Sequence, residues 1–125
     1  MIKILVLVLF FTSCKSKSIN QKVNLKKEGV WIDEYSLDGD NYKSYEYYKH
    51  NRPVRKWKVY KNGKIVKTEK YKGVFSIVKN YYENGQLESK GKTKIEDNST
   101  GAHWFYFGKW KFYSEKGKLE KIQEY

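Results

Sequence analysis

The residues best suited to chemistry lie together between Glu96 and His103. This segment holds two carboxylates, two hydroxyls and an imidazole, which are the groups that acid–base and nucleophilic catalysis use. A nucleophile needs a base within reach and a third group to orient that base, and Ser99, Thr100 and His103 have no such partner by spacing. Adjacent carboxylates, such as Glu96 and Asp97, diverge on an extended chain. We therefore predict that the protein is not an enzyme.

Metal chemistry has still fewer residues available. A zinc site needs three or four ligands of the His, Cys or carboxylate type. The chain contains two histidines, His50 and His103, and one cysteine, Cys14. We predict no metal site and no cofactor. Asn98 begins a glycosylation sequon, whose use depends on the host.

The segment from 96 to 103 is also an insertion relative to the spacing of the chain. Tyr60 and Tyr82 are 22 residues apart, Tyr82 and Tyr113 are 31 apart, and the excess of nine coincides with this segment. Loops on rigid scaffolds often carry binding function, although a tolerated surface insertion is the alternative. The candidate binding loop comprises Glu96, Asp97, Asn98, Ser99, Thr100 and His103.

Cys14 follows a segment that is typical of export. Lys3 precedes an apolar run from Ile4 to Phe11, which is too short for the ~20 residues of a membrane span and is otherwise typical of a buried strand. Small residues follow it, and Phe11, Thr12, Ser13 and Cys14 resemble a bacterial lipobox. The resemblance implies a signal peptide over 1–13 and acylation of Cys14, which would bind membrane lipid. It places the protein in the bacterial cell envelope, and the absence of an acidic residue from Lys15 to Ser18 resembles retention at the outer membrane facing the periplasm.

The charge is unevenly distributed. The formal net charge is +12, and residues 15–27 contain five lysines and no acidic residue. We interpret 14–27 as a lipidated cysteine with a basic tether, which anionic lipid would attract. Alternating lysines and aromatic residues, as in 109–113, can bind single-stranded nucleic acid, but export makes that partner unlikely to meet the protein. The same chemistry suits glycans or acidic envelope polymers.

The composition favours an all-β fold. Twelve Tyr, six Phe and four Trp accompany a single Pro, and aromatic residues have high β-propensity. Alternation and turn signals predict about eight strands. A family resemblance carried by the turn segments implies that they form an antiparallel meander in an open twisted sheet, and the alternative is a small up-and-down barrel. The predicted strands lie near 29–36, 41–48, 54–60, 64–71, 74–82, 86–94, 103–113 and 118–124.

Four glycines mark the repeated turns of this meander: Gly39, Gly63, Gly85 and Gly117. The first three follow Asp or Asn, which predicts two-residue type I′ hairpin turns because both central residues need positive φ. Lys116 precedes the last, which favours a longer turn with Gly117 in the left-handed region. The meander places all four at one end of the sheet.

Similar residues surround each turn. The segments Gly29-x-Trp31-x-x-x-Tyr35, Tyr81 to Glu88 and Gly108 to Tyr113 resemble the MORN-repeat variant family over roughly 28–125. In the second copy Arg55 stands where a glycine would precede Trp57. The resemblance implies consecutive hairpins in one sheet. Members are frequent among bacterial lipoproteins, and some are labelled antitoxin components.

These features together predict a membrane-anchored, non-enzymatic module. It would bind a protein or an envelope polymer through a sheet face or through the segment from 96 to 103. The alternatives are an antitoxin-like factor that neutralises a protein, and a small barrel that holds an apolar ligand.

Overall fold

A computed structural model describes residues 18–125, and these residues form strands joined by turns. None of them forms a helix long and apolar enough to cross a bilayer. The strands are β1 (Gln21–Val23), β2 (Lys26–Leu37), β3 (Asp40–Lys49), β4 (Arg52–Pro53), β5 (Lys56–Lys61), β6 (Lys64–Lys72), β7 (Phe75–Tyr81), β8 (Leu87–Asn98), β9 (Gly101–Tyr113) and β10 (Leu119–Glu124).

The strands form one open antiparallel sheet in the order β1-β2-β3-β5-β6-β7-β8-β9-β10, with β4 beside β3. The predicted all-β meander of hairpins is confirmed. The barrel alternative is wrong, because the sheet does not close on itself. A ligand enclosed in a barrel lumen is thereby excluded.

The boundary predicted between tether and repeat domain is also wrong. β1 and the start of β2 lie within 14–27, so part of the predicted tether belongs to the sheet. Asn24 and Leu25 both have positive φ, which makes a tight turn and pairs Val23 with Lys26.

The glycine turns lie at one end of the sheet, but they are of two kinds. Gly39 and Gly63 each follow a residue that also has positive φ, as type I′ turns require. At Gly85 only the glycine has positive φ, and its N–H donates to the carbonyl of Tyr82. Gly117 repeats that arrangement with Ser114. The longer turn predicted at Gly117 is confirmed, whereas the type I′ turn predicted at Gly85 is wrong.

The predicted loop from 96 to 103 is not a loop. β8 and β9 continue through it as a long hairpin, in which Glu96 pairs with His103 and Asn98 with Gly101. Only Ser99 and Thr100 remain unpaired at the tip. The inserted residues thus lengthen two strands, since cross-strand pairs stabilise them along their length.

The sheet curls strongly at the end opposite the glycine turns. Tyr71 on β6 and Trp104 on β9 lie three strands apart, about 14 Å on a flat sheet, yet their ring centroids are 5.1 Å apart. Arg52, beside β3, forms a salt bridge with Asp97 on β8 across the same curl. The face that carries the two rings is therefore concave.

The buried core lies on this concave face. Val78, Ile95 and Trp110 are its buried apolar side chains, and Trp110 is only 1% exposed. A Cβ at Gly91 would overlap the Trp110 indole, so the indole packs flat on the bare backbone of β8. The core is a thin layer of rings on a sheet rather than a space between two sheets.

Candidate ligand-binding trough

A continuous series of aromatic rings crosses the concave face. Successive ring centroids are 6.1, 4.9, 5.0 and 5.1 Å apart. We call these five residues the aromatic ladder: Trp31, Tyr48, Trp57, Tyr71 and Trp104. Tryptophan and tyrosine alternate along it, and all five are half-buried, so the rings support one another while part of each remains accessible. The surface they line is the trough.

Small polar residues form the floor beneath one end of the ladder. Ser76 is fully buried, and Thr93 lies beside it on the next strand. Because both side chains are short, Tyr71 and Trp104 meet above them. The Ser76 hydroxyl donates to Oε1 of Glu69 at 2.6 Å, and the Thr93 hydroxyl, 2.6 Å away, then donates to Ser76.

Two carboxylates sit between the rings. Glu69 is 7% exposed and also forms a salt bridge with Lys67 at 3.0 Å. Glu46 accepts hydrogen bonds from the hydroxyls of Ser44 and Tyr48, both at 2.9 Å. Both carboxylates are thus held by hydrogen bonds or a salt bridge beside the ladder. They help to keep its rings in fixed positions.

Burial and these carboxylates also fix the protonation of the ladder tyrosines. Burial raises the pKa of Tyr48 well above its usual 10, and the hydrogen bond to Glu46 adds to the rise. Burial likewise raises the pKa of Tyr71, with the Glu69 charge as the next cause. Both hydroxyls remain neutral and are unsuited to act as bases near neutral pH.

The trough ends in a cavity of about 420 Å³ under the β3–β4 turn. This volume lies within the ~300–1,000 Å³ of small-molecule sites. A larger concavity of about 660 Å³ lies beside Tyr42 and Tyr60. Its walls come from both faces of the sheet, so the ladder cavity is the better-defined site. Its lining residues are Tyr48, His50, Asn51, Arg52, Pro53, Trp57, Tyr71, Ile95, Ala102 and Trp104.

The other end of the ladder holds a cation. The Lys27 ammonium lies 4.4 Å from the Trp31 ring centroid and 4.6 Å from that of Tyr48. Both distances are within the ~6 Å range of cation–π attraction. Two ring faces are therefore already covered, which leaves the cavity end of the ladder as the place for a ligand.

The tryptophans share a local geometry that the repeat spacing suggested. Gly29, Arg55 and Gly108 each stand two residues before a tryptophan and have φ of 73°, 63° and 66°. Arg55 thus has the same left-handed backbone conformation as the two glycines. The Nε1 groups of Trp57 and Trp110 donate to carbonyls of the preceding strand at 3.0 and 2.9 Å.

Trp31 differs from these tryptophans. Its buried Nε1 has no acceptor among the described residues. The strand before it, β1, is only three residues long.

The predicted binding segment has a structural role at the hairpin tip. Oδ1 of Asn98 accepts from the backbone N–H and from the hydroxyl of Thr100, at 2.9 and 2.6 Å. Since that hydroxyl proton points to Asn98, Nε2 of His103, 2.8 Å away, must donate to Thr100. A general base would accept the proton instead, so the pair is not poised for nucleophilic attack.

The remaining predicted residues lie apart from the trough. Glu96 is on the opposite face, in an ion pair with Lys94, and Asp97 binds Arg52 at the cavity rim. Between residues 18 and 125, no three His, Cys, Asp or Glu side chains cluster as metal ligands. The lipidation and lipobox residues, Phe11, Thr12, Ser13 and Cys14, are outside the described residues.

Sequence reasoning missed the trough itself. The sequence did contain a signal, which is the alternation of side chains along each strand. Trp31 and Asp33 alternate with Ile32, and Trp57 and Val59 alternate with lysines. Which rings meet depends on register and curl, and these involve residues up to 73 positions apart, as from Trp31 to Trp104.

No protein-family model, curated protein or solved structure matches this chain. A concave row of partly accessible rings with bound carboxylates offers apolar stacking surface and fixed polar atoms. Such a site can hold a ligand in place.

Proposed function

We propose that the protein is a non-enzymatic envelope module that binds an uncharged glycan chain in the trough. The observation that carries the proposal is the aromatic ladder, whose rings come from five strands and which opens into the cavity at Trp104. Sugar rings present flat C–H faces that stack on aromatic rings, and their hydroxyls bond to the polar atoms at the rim. A linear polymer suits a trough better than an isolated small molecule does.

The charge of the trough favours a neutral ligand. Glu46 and Glu69 lie on its floor, and Lys67 and Lys27 are already engaged with Glu69 and with aromatic rings. An acidic polymer would be repelled by the Glu46 carboxylate, which has hydroxyl donors but no cationic partner among the described residues. His50 and Arg52 lie at the rim, where they can donate hydrogen bonds to sugar hydroxyls.

The cellular location of the protein is also part of what we propose. The lipobox-like residues ending at Cys14 support a lipid anchor in the bacterial envelope, facing the periplasm. The positive φ shared by Gly29, Arg55 and Gly108 supports grouping the chain with the MORN-repeat variants. Metabolic labelling with a fatty-acid probe tests the anchor. We expect the wild type to be labelled and Cys14→Ala not to be, and equal labelling would refute it.

Titration of the full-length chain in nonionic detergent with soluble N-acetylglucosamine oligomers tests the glycan proposal. Tryptophan fluorescence reports binding, because Trp57 and Trp104 line the cavity. We expect Tyr48→Ala to weaken binding by about tenfold or more, since Tyr48 lines the cavity on the side away from Lys27 and supports the Trp57 ring.

The matched control is Tyr45→Ala. Tyr45 is also half-buried and packs on Tyr60 at 5.8 Å, but it lies on the same strand with opposite parity. It should retain wild-type affinity. Melting curves of both variants establish that they fold. Failure of the wild type to bind N-acetylglucosamine or glucose oligomers, or equal losses in the two variants, would contradict the proposal.

A further inference from the structure

The convex face carries a second candidate surface, made of lysines. By register and alternation, many lysines point away from the trough, among them seven on β5 to β9 of which six are exposed. We call this set the lysine face: Lys56, Lys58, Lys70, Lys79, Lys90, Lys92 and Lys111.

The register sets like charges directly against each other. Lys56 pairs with Lys70, Lys79 with Lys90, and Lys90 with Lys111. Like charges directly opposite on neighbouring strands destabilise a sheet. Three such pairs on one face are a cost to folding that a bound polyanion would remove.

The described residues do not neutralise these lysines. Their salt bridges to lysine use Lys43, Lys61, Lys67 and Lys94, none of which belongs to the lysine face. Lys43 and Lys94 lie on the same side of the sheet as these seven and are paired with Glu34 and Glu96. The convex side is therefore balanced only in part, and the seven lysines carry its unpaired charge.

The lysines form rows across the strands. One row runs through Lys58, Thr68, Lys79, Lys90 and Lys111, each opposite the next in the register. Adjacent strands are about 4.8 Å apart, so the row presents closely spaced ammonium groups in a line. A second row starts at Lys56 and Lys70 and reaches Lys92.

We propose that the lysine face binds a linear phosphodiester polymer of the envelope along these rows. A line of ammonium groups complements a line of phosphates, each contact releasing counterions. Lysine suits this role because it is a compact point charge without the fixed bidentate geometry of arginine. The proposal rests on the envelope location proposed above but not on glycan binding in the trough, since it concerns the opposite face.

The shape of the face favours a polymer over a membrane. A convex sheet touches a flat bilayer along only part of its surface, whereas a flexible chain follows the curve. The exposed rings on this face are partly covered by their neighbours. Phe75 and Phe107 pack at 5.5 Å, and the Lys94 ammonium lies 5.8 Å from the Phe107 centroid.

Binding of the full-length chain to poly(glycerol phosphate), measured over a range of salt concentrations in nonionic detergent, tests the inference. We expect log K to fall linearly with log salt, by about 0.7 for each phosphate neutralised. The triple variant Lys79→Thr, Lys90→Thr, Lys111→Thr should reduce that slope by about 2 and weaken binding at least tenfold at low salt.

The control removes three lysines at the glycine-turn end, as Lys64→Thr, Lys116→Thr and Lys118→Thr. Its net charge equals that of the row variant, so equal losses would show that charge alone binds and would overturn the proposal. Stronger binding to anionic lipid vesicles than to the polymer would assign the face to a membrane and overturn it too. Preference for a single-stranded oligonucleotide of equal charge would assign the lysine face to nucleic acid and would also overturn the proposal. N-acetylglucosamine oligomers should bind the row variant normally, which separates this test from that of the trough.

Discussion

The two faces of this sheet are built from the same strands, but different properties constrain which side chains each face can hold. Along β8, Ser89, Gly91 and Thr93 point into the trough and are small, because large rings lie over them. Lys90 and Lys92 alternate with these residues and face solvent. Shape constrains the first face and charge the second. A sheet one residue thick thus presents two unrelated surfaces.

The largest contrast should come from neighbouring positions on β8. Gly91→Ala places a Cβ inside the Trp110 indole and should cost about 3 kcal/mol of unfolding free energy. Lys90→Ala, one residue away on the other face, should leave stability within about 0.5 kcal/mol of wild type. Urea unfolding measures both. A tolerated Gly91→Ala would show that the indole does not pack on the backbone.

Removal of a floor hydroxyl should cost less. Ser76→Ala leaves the buried Glu69 carboxylate without its 2.6 Å donor and should lower the unfolding free energy by about 1–3 kcal/mol. The control on the other face is Thr68→Val, whose hydroxyl has no side-chain partner in the described structure and whose loss should be nearly neutral. Equal losses of unfolding free energy in the two variants would mean that the hydrogen bonds of the floor do not contribute to stability.

High pH should weaken the trough face specifically. In the folded protein the pKa values of Tyr48 and Tyr71 lie above the unfolded value of 10, mainly through burial. A raised folded pKa gives stability that is complete below about pH 10 and is lost as pH rises further. Unfolding free energies measured from pH 9 to 12 should show this decline, because tyrosine in the unfolded chain has a pKa of ~10. It should be shallower in Tyr71→Phe, and an unchanged slope would argue against burial as the cause.

The smallest effect should be a gain on the lysine face. Lys90 lies opposite both Lys79 and Lys111, so Lys90→Thr removes two like-charge contacts. We expect a stabilisation of about 0.2–1 kcal/mol at low salt that disappears at high salt, where screening is strong. Thermal melts at two ionic strengths measure it. Destabilisation at low salt would show that the repulsion is balanced elsewhere.

Local rules predicted much of the fold but little of the site. Asn62 and Gly63 identified a hairpin turn because a two-residue turn depends only on its own φ values. No local pattern marks Gly91. A side chain is excluded there because the indole of Trp110, nineteen residues later, packs on its backbone. The segment from 96 to 103 was misread because polar residues can pair as strands when a partner strand is in register.

The sequence by itself determined that this chain forms a meander of antiparallel hairpins with its glycine turns at one end. It also determined the alternation that separates rings from lysines. Only the tertiary structure decided that the sheet stays open, that it curls, and that Tyr71 meets Trp104 over Ser76. Turns and alternation depend on neighbouring residues. Curl and contact depend on side-chain volumes that meet across several strands, and no local pattern encodes them.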